Sequence, residues 1–493
     1  MSIDFKIMFA SPEVVPFAKT GGLADVSGSL PKHLKRLGCD TRIVMPFYRM
    51  IREQQLPHVT IIEDLDVPSK GGILKAKVIQ VNLEGIIPVY FIMYDEFYDR
   101  GNLYGNSEGD YHDNAERFIF FCRSILELSR RIDFRPDIIH CNEWQTGLIP
   151  AYLKTLYNED PFFSNTRTVF TIHNIAYQGI FEKEIFKKTC LPDNVFDTGI
   201  EYYGKVNFMK AGIVYTDIIS TVSQKYSTEI QTEEYGCGLQ DILKERSDSL
   251  FSVLNGVNYD EWNPETDAFI VANYNKENAS GKIACKQDLL SHFTLPLSLM
   301  KRPLLGIISR LVEQKGIDLL LETLDRLMAF NVGFILLGLG EERYHRQFLN
   351  FARRYPKRIG LCIAYNNVLA HKIEAGVDIF LMPSRYEPCG LNQIYSLRYG
   401  TIPIVHATGG LDDTIKDYDQ ANGAGNGFKF KEYNTSAFLN KTKQALNVFE
   451  NREEWSRLMK NAMAEDFSWE ISAEKYIELY KKAASCRQFS PFR

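Results

Sequence analysis

Lys19-Thr-Gly-Gly-Leu-Ala-Asp25 follows an apolar run, Phe5 to Ala10, and opens an apolar-periodic stretch. A lysine and two glycines at a strand-to-helix turn suit a phosphate-bearing ligand. Glycine lets backbone N–H groups come close, and a helix N-terminus carries partial positive charge. The segment is neither the dinucleotide-binding Gly-x-Gly-x-x-Gly nor the P-loop, since Gly21 and Gly22 are adjacent and the lysine precedes them. Alone it reads more simply as a tight turn with a solvated lysine, so its meaning depends on the residues that accompany it.

Those residues recur at the ends of other strand-like runs. Asn142-Glu143-Trp144 follow residues 137–141, His173-Asn174 follow 168–172, and Asn255-Gly256 follow 252–254. In the second half, Arg310 and Lys315 follow 304–309, Gly338-Leu-Gly340 follow 332–337, and Arg385-Tyr-Glu-Pro-Cys-Gly390 follow 378–382. Ligands of open α/β sheets collect beyond the carboxyl ends of strands. Arg310 and Lys315 are fixed cations of the kind that suit a phosphate-bearing ligand.

The elements that must hold these residues alternate strand and helix, twice over. Strands are expected at 6–10, 42–45, 89–93, 137–141, 168–172, 218–222 and 252–254, with a helix over 115–131. The design repeats with strands at 304–309, 332–337, 359–364, 378–382 and 402–405 and helices around 317–330, 341–354 and 391–398. Short Val- and Ile-rich strands between helices indicate doubly wound parallel sheets. The 493 residues exceed what one core usually supports. Two Rossmann-like α/β domains are expected, residues 1–257 and 258–470, facing across a cleft, with a terminal helix in 471–493 that packs on either domain.

Composition narrows the partners. A formal net charge of -5 gives no reason to expect nucleic acid or an anionic membrane. Nine scattered cysteines with no Cys-x-x-Cys pair argue against a disulfide framework or a zinc site and fit a reducing cytoplasm. The N-terminus lacks a basic segment followed by a long apolar one, and no run reaches the roughly 18 apolar residues of a membrane span. A cytoplasmic protein is expected, or a plastid one if a transit peptide has been removed.

Six motifs stand in register: Lys-Thr-Gly-Gly-Leu-Ala-Asp-Val at 19–26, His-Asn-Ile-Ala-Tyr-Gln-Gly at 173–179, Val-Leu-Asn-Gly-Val at 253–257, Ser-Arg-Leu-Val-Glu-Gln-Lys-Gly at 309–316, Pro-Ser-Arg-Tyr-Glu-Pro-Cys-Gly-Leu at 383–391 and Thr-Gly-Gly-Leu at 408–411. With them the chain resembles the bacterial glycogen synthase and plant starch synthase family over nearly its whole length. The resemblance implies a retaining glucosyltransferase of the two-Rossmann GT-B architecture. Its substrates would be ADP-glucose and an α-1,4-glucan, which it extends at the non-reducing end, with no metal or other cofactor.

By the same resemblance Arg310 and Lys315 grip the diphosphate, assisted by Lys19, Gly22 and the backbone at Thr408-Gly409-Gly410. Glu387 stands beside the donor glucose, whose other hydroxyls meet backbone N–H groups at Cys389, Gly390 and Leu391. Cys389 itself reads as a small packing residue rather than a nucleophile. His173 borders the anomeric carbon, a role that a lone strand-end histidine would not have outside this context. Asn174 and Asn255 are candidates for sugar hydroxyls and Tyr365 for the base, while Asp25, Tyr104 and Glu143 line the glucan side. The family commonly has His-Asp-Trp where this chain has Asn142-Glu143-Trp144, so the Glu143 carboxylate sits one methylene further out.

Competing signals are weaker. Asp64-Leu-Asp66 matches the Asp-x-Asp of metal-dependent glycosyltransferases but lies in a charged segment, where a solvated face is the simpler reading. Gly338-Leu-Gly340 lacks the third glycine of a dehydrogenase fingerprint, because Arg343 stands in its place. Another nucleotide-sugar glucosyltransferase is the runner-up, and a non-catalytic glucan-binding homologue the alternative of a different class. Retention of Lys19, His173, Arg310, Lys315 and Glu387 speaks against the last.

Overall fold

The computed structural model describes residues 4–486. They divide into two compact units: the chain up to Gly256 joined by the stretch from Trp469 onward, and Val257–Ser468.

The first unit is built on a nine-stranded sheet. Its strands are β1 (Lys6–Ala10), β2 (Asp40–Pro46), β3 (Val59–Ser69), β4 (Gly72–Leu83), β5 (Ile87–Met93), β6 (Ile138–Asn142), β7 (Arg167–Ile172), β8 (Ile218–Thr221) and β9 (Leu250–Ser252). The spatial order is β9-β8-β7-β6-β1-β2-β5-β4-β3. All neighbours are parallel except β5–β4 and β4–β3. The long β3–β4 hairpin at the sheet edge is absent from the expected strands. On β3, Ile62, Leu65 and Val67 are buried while Glu63, Asp64 and Asp66 face solvent, a one-sided pattern unlike the buried runs beside it. Asp64 pairs with Lys75 at 3.7 Å across that hairpin, as the solvated-face reading of Asp64-Leu-Asp66 expects.

The second unit carries six parallel strands: β10 (Leu304–Ile308), β11 (Gly333–Leu337), β12 (Ile359–Cys362), β13 (Ile379–Met382), β14 (Ile402–His406) and β15 (Phe428–Phe430), in the order β12-β11-β10-β13-β14-β15. Their side chains form its core with those of helices such as Ile317–Ala329, including Leu305, Ile335, Phe380, Ile404, Leu320 and Leu324.

One local device fixes register in both units. Asp137, Asp217 and Asp378 each stand immediately before a strand, in the sequences Asp-Ile-Ile, Asp-Ile-Ile and Asp-Ile-Phe. Their carboxylates accept the N–H of Lys6, Thr168 and Leu304, the first or second residues of the neighbouring strands, each at 2.8 Å. Buried lysines 2.6 Å away neutralise two of them, Lys154 for Asp217 and Lys286 for Asp378. A one-residue slip would break each clamp and turn every side chain of the strand to the wrong face.

The C-terminal helix Trp469–Ser485 belongs to the first unit. Its Ser472 hydroxyl donates to the Leu254 carbonyl at 2.7 Å. The Tyr480 hydroxyl lies 2.8 Å from His140 Nδ1, whose other nitrogen is 2.7 Å from Thr171 Oγ1. Burial pushes the His140 pKa down to about 3, so the imidazole is neutral. No helix among the described residues is long and apolar enough to cross a membrane, and none of the nine cysteines forms a disulfide.

Candidate active site

Each sheet has one point where strand order reverses, and the polar residues gather there. In the first unit the chain moves outward from β1 to β2 and returns to β6 on the other side of β1, opening a crevice beyond the carboxyl ends of β1 and β6. In the second unit the same reversal lies between β10 and β13.

Beyond β1 the segment Ser11–Gly21 folds back against the helix Gly22–Arg36. Val15 N–H donates to Ala24 O at 3.0 Å. Gly21 is extended, with φ -156°, and neither Gly21 nor Gly22 would bring an added Cβ within 4 Å of any atom. Neither backbone strain nor packing asks for glycine at these positions. The open space lies at the N-terminus of a 15-residue helix, whose first N–H groups have no partner in the helix. Lys19 stands beside it, half exposed, with its ammonium 2.7 Å from Asp25. Burial raises the Asp25 pKa, with Lys19 opposing. Lys19 and Asp25, assigned from the sequence to donor and acceptor, thus form one ion pair.

Beyond β6, Glu143 adopts φ +64°, in the left-handed region that costs a non-glycine residue energy. The strained turn aims its carboxylate at the backbone beyond β7, where Glu143 Oε1 accepts the N–H groups of His173 at 2.5 Å and Asn174 at 2.9 Å. Expected on the glucan side, Glu143 here braces the His173–Asn174 turn. Burial, with the nearby Glu13 adding to it, pushes its pKa up to about 8 despite those two bonds. His173 donates Nε2–H to Asn142 Oδ1 at 3.0 Å, leaving Nδ1 as the free ring nitrogen. Burial lowers its pKa, so this imidazole too is neutral. Asn174 Oδ1 caps Ala176 N–H at 3.1 Å, and the Asn255 Oδ1 is buried without a partner.

In the second unit, Lys315 ends a short turn after β10 and Gly316 follows with φ +70°. An added Cβ on Gly316 would lie 1.9 Å from the Pro383 carbonyl oxygen, so glycine is required by conformation and by contact. That contact brings Lys315 to the loop beyond β13, where its Nζ lies 2.5 Å from Glu387 Oε2. Ser384 Oγ donates to the same oxygen at 3.1 Å. Arg310 is exposed and reaches Gln314 Oε1 at 3.2 Å. Arg385 is drawn away by Asp318 at 2.6 Å, and its guanidinium covers the Tyr433 ring.

Gly409 and Gly410 behave oppositely to Gly21 and Gly22. Added Cβ atoms there would fall 2.0 Å from the Glu387 and Cys389 carbonyl oxygens. Gly410 N–H already donates to the Glu387 and Pro388 carbonyls, both at 3.1 Å. Gly409 and Gly410 thus buttress the Glu387 loop, and the Gly410 amide expected to face a diphosphate is committed to that loop. Cys389 is buried, Gly390 has φ +71°, and Leu391 precedes the helix Asn392–Arg398. Tyr365 is 83% exposed beyond β12.

Sequence reasoning passed over Glu13. It is only 4% exposed and receives four hydrogen bonds, from Thr20 N–H (2.5 Å), Thr20 Oγ1 (2.6 Å), Gly21 N–H (3.3 Å) and Tyr104 OH (2.8 Å). The only signal available was its place in the stretch after β1.

Residues 296–462 match the family described as Glycosyl transferases group 1. The solved sucrose-phosphate synthase from Thermosynechococcus elongatus superposes with a TM-score of 0.59 at 15% identity, covering 97% of this chain and 98% of that one, a likeness of fold alone. Two parallel-sheet units, each with its charged residues at the switch point, define a GT-B glycosyltransferase. Residues 6–245 match the starch synthase catalytic domain. The glycogen synthases of Koribacter versatilis and Moorella thermoacetica are 47% and 46% identical, over 98% and 100% of this chain and 99% and 100% of theirs. The catalytic domain of starch synthase IV from Arabidopsis thaliana, solved bound to ADP and acarbose, has a TM-score of 0.89 at 33% identity, covering 98% of this chain and 100% of that one. The chain belongs to the glycogen synthase and starch synthase family.

Proposed function

We propose that this enzyme extends an α-1,4-glucan by moving glucose from ADP-glucose to the 4-hydroxyl at the non-reducing end, with retention of configuration. The observation that carries the proposal is the Lys315–Glu387 pair, held at the switch point of the second sheet. A cation and a carboxylate side by side suit a reaction in which negative charge grows on a departing diphosphate while positive charge grows on the sugar ring. Lys315 and Arg310 stabilise the diphosphate, and Glu387 accepts hydrogen bonds from sugar hydroxyls.

From the first unit, Lys19 and the open turn at Gly22 meet the diphosphate. His173, neutral and fixed through Asn142 and Glu143, lines the sugar. The C1–O bond to ADP breaks as the bond to the acceptor oxygen forms on the same face, and the acceptor proton passes to the departing phosphate oxygen. These cations supply the positive charge without a divalent metal. The setting is the cytoplasm, with no nucleic acid or membrane partner. The test is ADP release from ADP-glucose on addition of glycogen. Release that is glycogen-dependent and at least about tenfold faster than UDP release from UDP-glucose is expected, and equal rates would overturn the donor assignment.

A further inference from the structure

We propose that Glu13 is the positioning residue of the Lys19–Gly22 turn, and that its bond to Tyr104 couples the state of that turn to what occupies the glucan side. This inference rests on the function proposed above for the meaning of the two sides, though not for the linkage itself.

Glu13 lies beyond β1 with both carboxylate oxygens engaged. Oε2 takes the Thr20 and Gly21 N–H groups, and Oε1 takes the Thr20 and Tyr104 hydroxyls. An ionised carboxylate offers about four acceptor positions, so four donors leave it nothing for a substrate. What it does is hold the peptide groups of Thr20 and Gly21 turned inward, which fixes Lys19 on one side and Gly22 on the other. Since the N–H groups of Thr20 and Gly21 are already spent on Glu13, an incoming diphosphate meets the Lys19 ammonium and the helix N–H groups from Gly22 onward.

Tyr104 connects this turn to a segment 91 residues away. Its carbonyl is held by Asn114 Nδ2 at 2.8 Å, and Asn114 in turn receives Arg117 Nη1 at 2.6 Å. Arg117 is fully buried, with Nη2 unpartnered. The same segment is tied at Arg100, whose two terminal nitrogens reach the two Asp113 oxygens at 2.6 Å. With Tyr104 so anchored, a glucan pressing on its ring shifts the hydroxyl and, through Glu13 Oε1, the Thr20 hydroxyl that shares the same oxygen.

The test compares full-length wild type, Glu13→Ala, Glu13→Gln and Tyr104→Phe by hydrogen–deuterium exchange over residues 17–25, thermal melting and ADP-glucose kinetics. Glu13→Ala should speed exchange at Thr20 and Gly21 about tenfold without ligand and lower kcat/KM for ADP-glucose about thirtyfold, mainly through KM, while still melting cooperatively. Glu13→Gln should recover to within about fivefold, because its amide oxygen keeps the two N–H bonds and both hydroxyls can accept from its NH2. Maltohexaose alone should slow exchange of this segment in wild type, and Tyr104→Phe should abolish that response.

Unchanged exchange in Glu13→Ala, a Glu13→Gln enzyme as impaired as Glu13→Ala, or no response of the segment to maltohexaose in wild type would each overturn the proposal. The ligand-free exchange needs no donor. Wild type inactive on ADP-glucose would therefore sink the proposed function and leave exchange to decide the role of Glu13.

Discussion

The Lys315 ammonium lies 2.5 Å from the Glu387 carboxylate, with the lysine side chain 20% exposed and the glutamate 7%. Two residues assigned to different parts of a donor, its diphosphate and its sugar, are thus a single charge pair. Removing one member strands the other in a largely dry site, whereas removing both leaves no uncompensated charge. In Lys315→Met and in Glu387→Gln stability should fall on the order of 1–3 kcal/mol by urea unfolding. The double variant should regain most of that loss, yet kcat should drop on the order of 2–4 kcal/mol in barrier in all three. A Lys315→Met enzyme with normal kcat would remove the lysine from the chemistry.

The glycines divide into two kinds, and alanine should separate them. Gly22→Ala meets open space and replaces glycine in a helix, so stability should hold or rise by about 0.5–1 kcal/mol. The added methyl would stand where a diphosphate is expected, and kcat/KM for ADP-glucose should fall more than about tenfold. Gly410→Ala drives a methyl into the Cys389 carbonyl and should destabilise the fold by more than about 3 kcal/mol. Thermal melting and kinetics on the two proteins would check this; a Gly22→Ala enzyme with unaltered donor kinetics would empty the proposed cradle.

Glu143 should give stability a measurable pH slope. Its folded pKa of about 8 lies above the ordinary glutamate value, about 4.3. Between those two values the folded chain holds a proton that the unfolded chain has lost, so the contribution of Glu143 to stability is full below about pH 4.3, declines as pH rises from there and is lost above about pH 8. Glu143→Gln cannot titrate, so the variant should gain on wild type by on the order of 2–4 kcal/mol from pH 5 to 8. Urea midpoints across that range would show it, and parallel curves would mean that Glu143 is ionised in the fold.

Much of this was legible in the sequence because buried parallel strands advertise themselves. The expected strand over 6–10 is the one that forms, and 332–337, 378–382 and 402–405 differ by a residue at an end from β11, β13 and β14. The expected run 252–254 instead forms at Leu250–Ser252, where Phe251 and Ser252 are only half buried and the apolar signal is weak. The β3–β4 hairpin escaped because Glu63, Asp64 and Asp66 break its apolar run on the solvent face. Among site residues, charged groups at strand ends were identifiable. What Glu13 and Glu143 do was not, since each acts through bonds to residues distant in sequence, Tyr104 for one and His173 for the other. The pairing of Lys19 with Asp25, and of Lys315 with Glu387, likewise follows from loop geometry rather than from spacing.

Activity should survive exhaustive chelation. Arg310 and Lys315 already place positive charge beyond β10, and Asp64 is occupied with Lys75 at the far edge of the other sheet. Rates in excess EDTA should stay within about twofold of those with magnesium. Loss on chelation that manganese or magnesium restores would require a metal in the step assigned to these cations.

The most direct test is transfer itself. Wild-type enzyme is incubated with glycogen and ADP-glucose labelled in the glucose, and the polymer is recovered and digested with β-amylase, which releases maltose from non-reducing α-1,4 ends. Label should enter the polymer and leave again almost wholly as maltose, with a Glu387→Gln control incorporating at most about one thirtieth as much. Label that stays in the polymer after digestion, or that never enters it, would contradict retaining elongation from ADP-glucose.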